Sequence, residues 1–408
     1  MVIAAVAQSH ADCRLPPIPT SFTSGVERAP RATTLTYLVH AQQEEKLERI
    51  HNNRIIESFP LSQRIHLHSI PVAKMINFGI IGTNWITHSF IAGAHATGKW
   101  NLAAVYSRKT ETAQAFASQY TGREIATYTY LSTLASDPNI STVYIASPNI
   151  LHYEQAKLML QSGKNVILEK PACSTVAELD DLFAVAKHKG VILLEAFRHI
   201  HEPNFQLLKS QLARLGPVYG ASITYAQYSS RYEKVLQPDG AGVPNIFNLE
   251  MGGGALVDLG VYCIAAAIDL LGVPQDAQYW PVKVATGADG GGRLLLTYPT
   301  FVVHLCHSKI YNSDAPSEFY GERGTLVTPT ITDIKRITFC DSKTKQRDEV
   351  PVQDLPACNL QDEAQAFAAI ILTRDEPARA RLEALSRNVL RVMETVRREN
   401  GLLFAGGK

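Results

Sequence analysis

The chain has 408 residues, of which 46% are hydrophobic, and carries a formal net charge of +1 at pH 7. This length and apolar content suffice for two globular domains with ordinary cores. A charge so close to zero provides no broad field for nucleic acid or anionic lipid, so neither is expected as a partner and any anion-binding site has to be local. We also expect no membrane partner, because no run of ~20 consecutive apolar residues stands out.

The six cysteines are scattered along the chain, without the close pairs that a zinc site or a redox dithiol uses. We therefore expect a reduced, cytoplasmic protein that requires no metal.

Residues 1–74 lack the regular alternation of strand and helix patterns that begins at Met75. They mix prolines, Ser/Thr clusters and a charged patch, so we predict a poorly structured N-terminal extension. A targeting peptide is one origin, because Arg14, Arg28 and Arg31 lie among hydroxyl residues. An upstream start choice, with Met75 as the natural first residue, is favoured because no amphipathic targeting helix is evident.

From Met75 to Leu194, apolar strand patterns alternate with helical patterns. Strands are predicted at Ile76–Ile81, Leu102–Tyr106, Thr142–Ala146, Asn165–Leu168 and Val191–Leu194, and helices near Trp85–Ala96, Thr110–Tyr120, Leu151–Ser162 and Val176–Lys189. Strands separated by helices of this length imply right-handed crossovers and a parallel sheet. We therefore predict a doubly wound, Rossmann-type α/β domain over residues 75–196.

After Glu195 the strands follow one another more directly, which predicts a large, mostly antiparallel sheet. A helix is predicted near Asn204–Leu215, and strands at Val218–Tyr228, Ala277–Val284, Gly292–Tyr298, Phe301–Lys309 and Ile334–Phe339. A glycine-rich helix, Gly254–Leu271, interrupts this α+β domain of residues 197–360. Residues 361–408 are predicted to form amphipathic helices that pack back on the body.

The segment from Phe78 to Ile86 joins the first strand to the first helix through glycine. Gly82 occupies the first glycine position of the dinucleotide fingerprint, whereas Asn84 stands at the second and Thr87 at the third. Asn tolerates left-handed backbone geometry, and we expect its side chain either to push a pyrophosphate outward or to bond to it. Because such a turn presents N–H groups to a pyrophosphate, cofactor contacts are predicted for Gly82, Thr83, Asn84, Trp85 and Ile86.

The second strand is followed by Ser107, Arg108 and Lys109, at the place where an acid would hold the ribose of NAD. No acid is present there. A serine and an arginine suit the 2′-phosphate of NADP, so NADP is preferred and NAD remains possible. The alternative is a solvated basic helix start.

The predicted strand Thr142–Ala146 is followed by Ser147, Pro148, Asn149 and, three residues later, His152. This is the sheet edge where ligands of open α/β folds bind, so we predict cofactor contacts for all four residues. Pro148 would stiffen a wall beside the nicotinamide. For Asn149 helix capping is the alternative, and for His152 a structural hydrogen bond.

The apolar strand Asn165–Leu168 ends in Glu169, Lys170 and Pro171, which places Lys170 at the same edge. Asp258 and Tyr262 lie four residues apart on the glycine-rich helix, hence on one face. A Tyr with its ordinary pKa near ~10 exchanges protons poorly at neutral pH, but a nearby ammonium favours the phenolate. Lys170, Asp258 and Tyr262 are therefore predicted to meet across a cleft as a catalytic set.

Each of these residues also has an ordinary structural interpretation. Lys170 would then end a strand in solvent, Asp258 would pair with a distant arginine, and Tyr262 would belong to the core with its hydroxyl at the edge.

The turn at Gly79–Ile86, the Glu169-Lys170-Pro171 motif and the segment Gly252–Tyr262 together resemble the Gfo/Idh/MocA family, and the resemblance extends from Met75 to the C-terminal helices. It implies that Lys170 contacts substrate and cofactor, that Glu169 belongs to the cofactor site, and that the Lys170–Pro171 bond is cis. It also implies dimers or tetramers through the antiparallel sheet.

Many family members carry His four residues after the Asp, whereas this chain has Tyr262. This resembles the subgroup of glucose-fructose oxidoreductase, NADP-dependent xylose dehydrogenase and dimeric dihydrodiol dehydrogenase, in which Tyr is the proposed acid/base. The segment Glu195–Pro203 is similar to the family's domain hinge, so Arg198, His199 and His201 are candidates for the substrate cleft, with packing as the alternative. Tyr225, Tyr228 and Arg231 are left unassigned.

The resulting prediction is an NAD(P)-dependent enzyme that transfers a hydride between nicotinamide and a secondary hydroxyl of a sugar, polyol or trans-diol. Two alternatives stay open: a transhydrogenase-like sugar oxidoreductase that retains its NADP, and an NADP-binding sensor or assembly protein without turnover.

Overall fold

The computed structural model describes residues 75–120, 124–237 and 242–408. Met75–Lys408 folds as one unit. The predictions for residues 1–74 lie outside the described residues.

The first sheet has six parallel strands in the order β3-β2-β1-β4-β5-β6. Its strands are β1 Ile76–Ile81, β2 Trp100–Tyr106, β3 Ala126–Tyr128, β4 Thr142–Ile145, β5 Asn165–Glu169 and β6 Leu193–Ala196. The connecting helices are α1 Trp85–Ala96, α2 Thr110–Ala117, α3 Leu131–Ser136, α4 His152–Gln161 and α5 Val176–Lys189. All four residues of β4 are buried, as expected for a strand covered on both faces. The predicted doubly wound sheet is confirmed.

The second sheet has eight strands in the order β14-β13-β12-β11-β7-β10-β9-β8. They are β7 Val218–Ala226, β8 Asp276–Lys283, β9 Asp289–Thr297, β10 Val302–Ser308, β11 Ser317–Gly321, β12 Gly324–Thr328, β13 Ile337–Asp341 and β14 Arg347–Val350. Every neighbouring pair is antiparallel except β7 and β10. The prediction of a large, mostly antiparallel sheet is confirmed.

The remaining helices connect or cover the two sheets. They are α6 Pro203–Gln211, α7 Val261–Leu271, α8 Gln361–Thr373 and α9 Glu376–Glu399, and the turn Leu256–Gly260 immediately before α7 is π-helical. Helix α8 packs on α1, and there the indole Nε1 of Trp100 donates to Ala364 O at 3.0 Å. Helix α9 packs on α5 and α7, so the end of the chain contacts both halves.

The sequence pattern missed β3, β11, β12 and β14. Strand β3 has three residues, all half-buried, and is too short to show a period. Strands β11 and β12 are five residues each, and a turn of two residues separates them. These short strands lie near the edges of the sheets or between longer strands, and β11, β12, β13 and β14 each pair with a strand adjacent in sequence, so cross-strand contacts rather than a local period define them.

One segment of the described residues, Leu249–Leu271, has the length and hydropathy of a membrane span, contrary to the expectation from the sequence. In the structure, 78% of its apolar window is buried inside the fold. It is therefore the core helix of the second half, and it carries Asp258 and Tyr262.

Candidate active site

The turn after β1 depends on Gly82. Its φ is +107°, a conformation that side-chain-bearing residues rarely adopt, and a Cβ added there would lie 2.5 Å from Ala146 O. The chain therefore passes directly against the carboxyl end of β4 only because this position is glycine. The first position of the dinucleotide fingerprint is thus occupied for a steric reason.

Asn84 caps helix α1. Its Oδ1 accepts from the N–H groups of Ile86 at 3.2 Å and Thr87 at 3.4 Å, and its Nδ2 donates to Ala146 O at 2.8 Å. Its φ of −97° is not left-handed. The left-handed geometry that asparagine tolerates is thus not used here, and the amide of this exposed residue caps α1 and bonds to the end of β4.

Thr87 replaces the third glycine in a similar way. The residue is buried, and its Oγ1 donates to Gly82 O at 3.0 Å. This hydrogen bond ties the first turn of α1 to the glycine.

The turn nevertheless fits a pyrophosphate. Among the described residues, no acceptor receives the backbone N–H groups of Thr83 and Asn84, which lie at the positive end of α1. Trp85 is 62% exposed at the first helical position, and Ile86 beside it is half-buried. Free N–H groups next to a helix N-terminus are suited to the charges of a dinucleotide.

The residues after β2 fit a further phosphate. Ser107 is half-buried and Arg108 is exposed, and Arg108 makes no ion pair with any residue that the structure describes. An unpaired guanidinium at this edge can form a forked contact with a phosphate, whereas an acid at the same place would repel it.

The loop after β4 connects the two halves of the fold. Ser147 Oγ donates to Gln155 Oε1 at 2.7 Å, and Pro148 leads into the short turn Asn149–Leu151. Asn149 Nδ2 donates to Gly252 O at 2.8 Å, across to the segment that precedes α7. Asn149 thus joins the sheet edge to the segment that carries the other predicted catalytic residues.

His152 does not face the crevice, and the prediction that it contacts the cofactor is corrected. Its ring is completely buried, with Nδ1 3.0 Å from Pro171 O and Nε2 2.9 Å from Ser147 O. Burial lowers its pKa, while the carbonyl oxygens of Pro171 and Ser147 act in the opposite direction. The imidazole therefore links the loop that contains Ser147 to the loop that contains Pro171.

Lys170 follows β5 and bonds to Asp258 from the other half of the fold. Its Nζ lies 3.0 Å from Asp258 Oδ1 and 2.9 Å from Asp258 O. The Lys170–Pro171 bond is cis, as the family resemblance implied. Glu169 precedes this pair, and its carboxylate accepts from Tyr144 OH at 2.6 Å.

The π-helical turn Leu256–Gly260 presents Asp258, so the uniform α-helical spacing expected from Asp258 to Tyr262 is corrected. Asp289 caps this turn, because its Oδ2 accepts from Leu256 N at 2.6 Å and from Tyr279 OH at 2.8 Å. Gly254 allows the approach, since a Cβ there would lie 2.2 Å from Asp289 Oδ1.

Tyr262 lies between two cations. Lys170 Nζ is 4.9 Å from the centroid of its ring, and the guanidinium carbon of Arg198 is 6.0 Å from it. The rings of His199 and Tyr225 complete the surroundings, at centroid distances of 5.1 and 5.5 Å. The predicted meeting of Lys170, Asp258 and Tyr262 is present in the structure.

The protonation of this set differs from the expectation. Burial raises the pKa of Tyr262 to about 12, and Lys170 and Arg198 offset only part of that rise. The sign of the lysine effect is as predicted, but burial outweighs it, so Tyr262 is a phenol at neutral pH. Burial also raises the pKa of Asp258, but Lys170 and Lys309 outweigh it and hold that pKa far below its usual range.

Comparison with known proteins places this arrangement in a family. The model of the Gfo/Idh/MocA family, described as "Oxidoreductase family, NAD-binding Rossmann fold", matches residues 76–197. The Escherichia coli K12 protein YgjR, an uncharacterized oxidoreductase, is 38% identical over 332 residues, which cover 81% of this chain and 98% of YgjR. This chain belongs to the Gfo/Idh/MocA family.

Two further proteins resemble this Gfo/Idh/MocA oxidoreductase. IolU of Bacillus subtilis 168, named scyllo-inositol 2-dehydrogenase (NADP(+)), is 36% identical over 330 residues, which cover 81% of this chain and 98% of IolU. The crystal structure of KijD10, a 3-ketoreductase from Actinomadura kijaniata in complex with NADP and TDP-benzene, matches with a TM-score of 0.67 at 23% identity. It covers 79% of this chain and 97% of KijD10, and shows the shared fold.

In this Gfo/Idh/MocA protein, Arg198 fixes the segment Glu195–Pro203, which resembles the family's domain hinge. Its guanidinium bonds to Glu202 Oε1 at 2.8 Å and to both carboxylate oxygens of Asp333, at 3.0 and 2.5 Å. His201 is half-buried, and its ring packs edge-on against Phe367 of α8 at a centroid distance of 5.1 Å. Of the three hinge candidates, Arg198 and His199 lie beside Tyr262, whereas His201 packs on α8.

Of the three residues left unassigned on β7 and just after it, one lies at the site and two do not. Tyr225 contacts the Tyr262 ring, whereas Tyr228 is exposed and donates its hydroxyl hydrogen to Glu233, and Arg231 is exposed.

Sequence reasoning missed Lys309 and Asp289. Lys309 follows β10 and pairs with Asp258, which is 51 positions earlier in the chain. No local spacing connects two residues so far apart. The only signal was the end of the predicted strand Phe301–Lys309 in a lysine, the same feature that marked Lys170.

Proposed function

We propose that this Gfo/Idh/MocA oxidoreductase uses NADP to transfer a hydride to or from a secondary hydroxyl of a sugar, polyol or trans-diol. The observation that supports this best is the convergence of Lys170, Asp258 and Tyr262 at the carboxyl edge of the parallel sheet. A positioned proton donor beside an ammonium is what interconversion of an alcohol and a carbonyl requires.

The preference for NADP rests on the residues after β2. Arg108, exposed and without an ion pair to any described residue, would hold the 2′-phosphate together with Ser107, and the N–H groups of Thr83 and Asn84 would hold the pyrophosphate. The name of IolU, which includes NADP(+), supports the same preference. When bound, the nicotinamide supplies or accepts the hydride.

The protein residues handle the proton. In the direction of carbonyl reduction, the Tyr262 hydroxyl gives its proton to the substrate oxygen, consistent with a phenol whose pKa is raised to about 12. In the direction of alcohol oxidation, the phenolate takes the hydroxyl proton. Lys170 stabilises the negative charge that develops on the same oxygen, and Asp258 fixes the direction of the ammonium.

The test is steady-state turnover with NADP(H) on a panel that contains inositols, aldoses, trans-diols and the corresponding ketones. Lys170→Met and Tyr262→Phe should each lower the rate by about 10² to 10⁴. Tyr298→Phe is the matched control, since it removes a hydroxyl that donates to Gly272 O at 3.0 Å outside the site. Unchanged turnover in both site variants would overturn the mechanism, and cofactor that survives gel filtration would indicate the transhydrogenase alternative.

We further propose a homodimer or homotetramer through the open face of the eight-stranded sheet. The strand register places Trp280 and Val302 on the same face, and they are 53% and 43% exposed. Apolar side chains of this size on an open sheet favour burial against a second copy. Light scattering should give a multiple of 44.8 kDa for the wild type and a smaller species for Trp280→Arg.

We also propose a cytoplasmic location. Cys173, Cys263 and Cys306 are buried thiols, which suits a reducing compartment. Microscopy of the full chain fused to a fluorescent protein tests this proposal.

A further inference from the structure

Asp258 has a cation on each of its carboxylate oxygens. Lys170 Nζ contacts Oδ1 at 3.0 Å, and Lys309 Nζ contacts Oδ2. The three residues come from three different elements: the end of β5, the π-helical turn before α7, and the residue after β10. The carboxylate is therefore the point at which the two sheets and the core helix meet.

Lys309 is fixed in place. The residue is only 7% exposed, its N–H donates to Gly290 O at 2.8 Å, and its carbonyl accepts from Ser229 N at 2.9 Å. Its backbone thus extends the sheet, and its ammonium is directed at Asp258. A lysine rarely becomes this buried without a partner of opposite charge.

The charge balance at Asp258 shows what the second lysine adds. Glu169, which precedes Lys170 and interacts with it electrostatically, is a second acid beside Asp258, so without Lys309 two acids would face a single lysine. Arg198 does not supply the second cation, because Glu202 and Asp333 compensate its guanidinium. In a partly buried site, an ammonium that is not outnumbered by acids can stabilise an oxyanion on the substrate.

We propose that Lys309 is a positioning residue of the reaction. By holding Oδ2, it keeps Asp258 a carboxylate whose other oxygen and carbonyl orient the Lys170 ammonium, and it leaves that ammonium with charge to act on the substrate oxygen. This role rests on the proposed function. Asp258 is then a fixed anion that does not compete with Tyr262 for the substrate proton.

The kinetic test compares Lys309→Met and Lys309→Arg with the wild type. The Met variant should lower kcat by about tenfold, less than the loss of a direct donor causes, with a smaller change in KM. The Arg variant should recover most of the activity, because it retains the charge. The matched control is Lys209→Met. Lys209 pairs at 2.9 Å with Asp269, which lies near the C-terminal end of α7, so its loss should leave kcat unchanged.

A second readout does not require turnover. In protein labelled with ¹³C at the aspartate carboxyls, the signal that disappears in Asp258→Asn reports the protonation of Asp258. Loss of a cation should move its titration upward by about 1 to 3 pH units in Lys309→Met and leave it unmoved in Lys209→Met. The other charged and titratable groups around Asp258 remain the same in both variants: Lys170, Glu169, Tyr262 and Arg198.

The outcomes separate the two proposals. If Lys309→Met folds, keeps the kcat of the wild type and shows the wild-type titration of the Asp258 carboxyl signal, Lys309 has no role in the site. If the wild type turns over no member of the substrate panel but the Asp258 titration moves as expected, the charge arrangement stands and the proposed reaction fails.

Discussion

The ammonium of Lys170 lies 4.9 Å from the ring centroid of Tyr262 but donates its hydrogen bonds to Asp258. It therefore acts on the phenol through space, and a charge acting in this way lowers a pKa less than a hydrogen bond to the phenolate would. Because burial dominates, Tyr262 is ready to donate a proton and has to lose one before it can accept one.

This protonation state predicts a pH dependence that differs between the two directions. With the pKa of Tyr262 raised to about 12, the phenolate fraction rises about tenfold per pH unit throughout the neutral and mildly alkaline range. Alcohol oxidation should therefore accelerate with pH, whereas carbonyl reduction should be nearly flat. Initial rates in both directions from about pH 6 to about pH 10 test this. Oxidation that reaches a plateau near neutrality would contradict the assignment.

Replacement of Gly82 should weaken both the fold and cofactor binding. Gly82→Ala combines a φ of +107° with a Cβ only 2.5 Å from Ala146 O. Gly98→Ala is the matched control, since Gly98 has a φ of +67° and open space around it, so it includes the backbone cost of about 1 kcal/mol without the clash. Thermal melts and NADPH fluorescence titrations should show a larger loss for Gly82→Ala. Equal losses in the two variants would show that the contact with Ala146 is unimportant.

Arg108 should determine the choice between the two dinucleotides. Loss of a charge-assisted hydrogen bond of about 1.5 to 3 kcal/mol corresponds to about 10- to 150-fold weaker binding of NADP in Arg108→Ala, with NAD affinity unchanged. Arg336→Ala removes an equally exposed arginine in the other sheet region and should change neither affinity. Fluorescence titration with both reduced cofactors measures the ratio. A parallel loss of both would assign Arg108 to a general basic surface.

The capping role of Asn84 can be separated from its contact with β4. Asn84→Ala removes the acceptor for Ile86 and Thr87 and should lower the free energy of unfolding by about 1 kcal/mol. Asn84→Ser keeps a capping oxygen but loses the bond to Ala146 O. Urea unfolding should place the Ser variant between the wild type and the Ala variant. A Ser variant as unstable as the Ala variant would assign the effect to the Ala146 contact alone.

The parallel sheet could be predicted from the sequence because its central strands are continuous apolar runs. Strand β4 has four buried residues and β5 has three in a row, so the pattern does not depend on the rest of the fold. Strand β3 shows no such run, because all three of its residues are half-buried at the sheet edge.

The candidate site was predictable where a residue ends a buried strand or follows a glycine turn. Lys170 and Gly82 are of this kind. Lys309 and Asp289 reach the same segment through the register of the second sheet, which one sequence does not reveal. The protonation state of Tyr262 could not be predicted from the sequence for a related reason. Its pKa depends on how deeply the ring is buried and on Arg198, which follows β6.

The glycine fingerprint of this chain has a consequence for recognising its relatives. Only Gly82 is irreplaceable, whereas an amide and a hydroxyl perform at the second and third positions the bonding that tightens the turn. A pattern search that demands all three glycines would discard such sequences. One that accepts a single glycine followed by a helix-capping side chain would retain them.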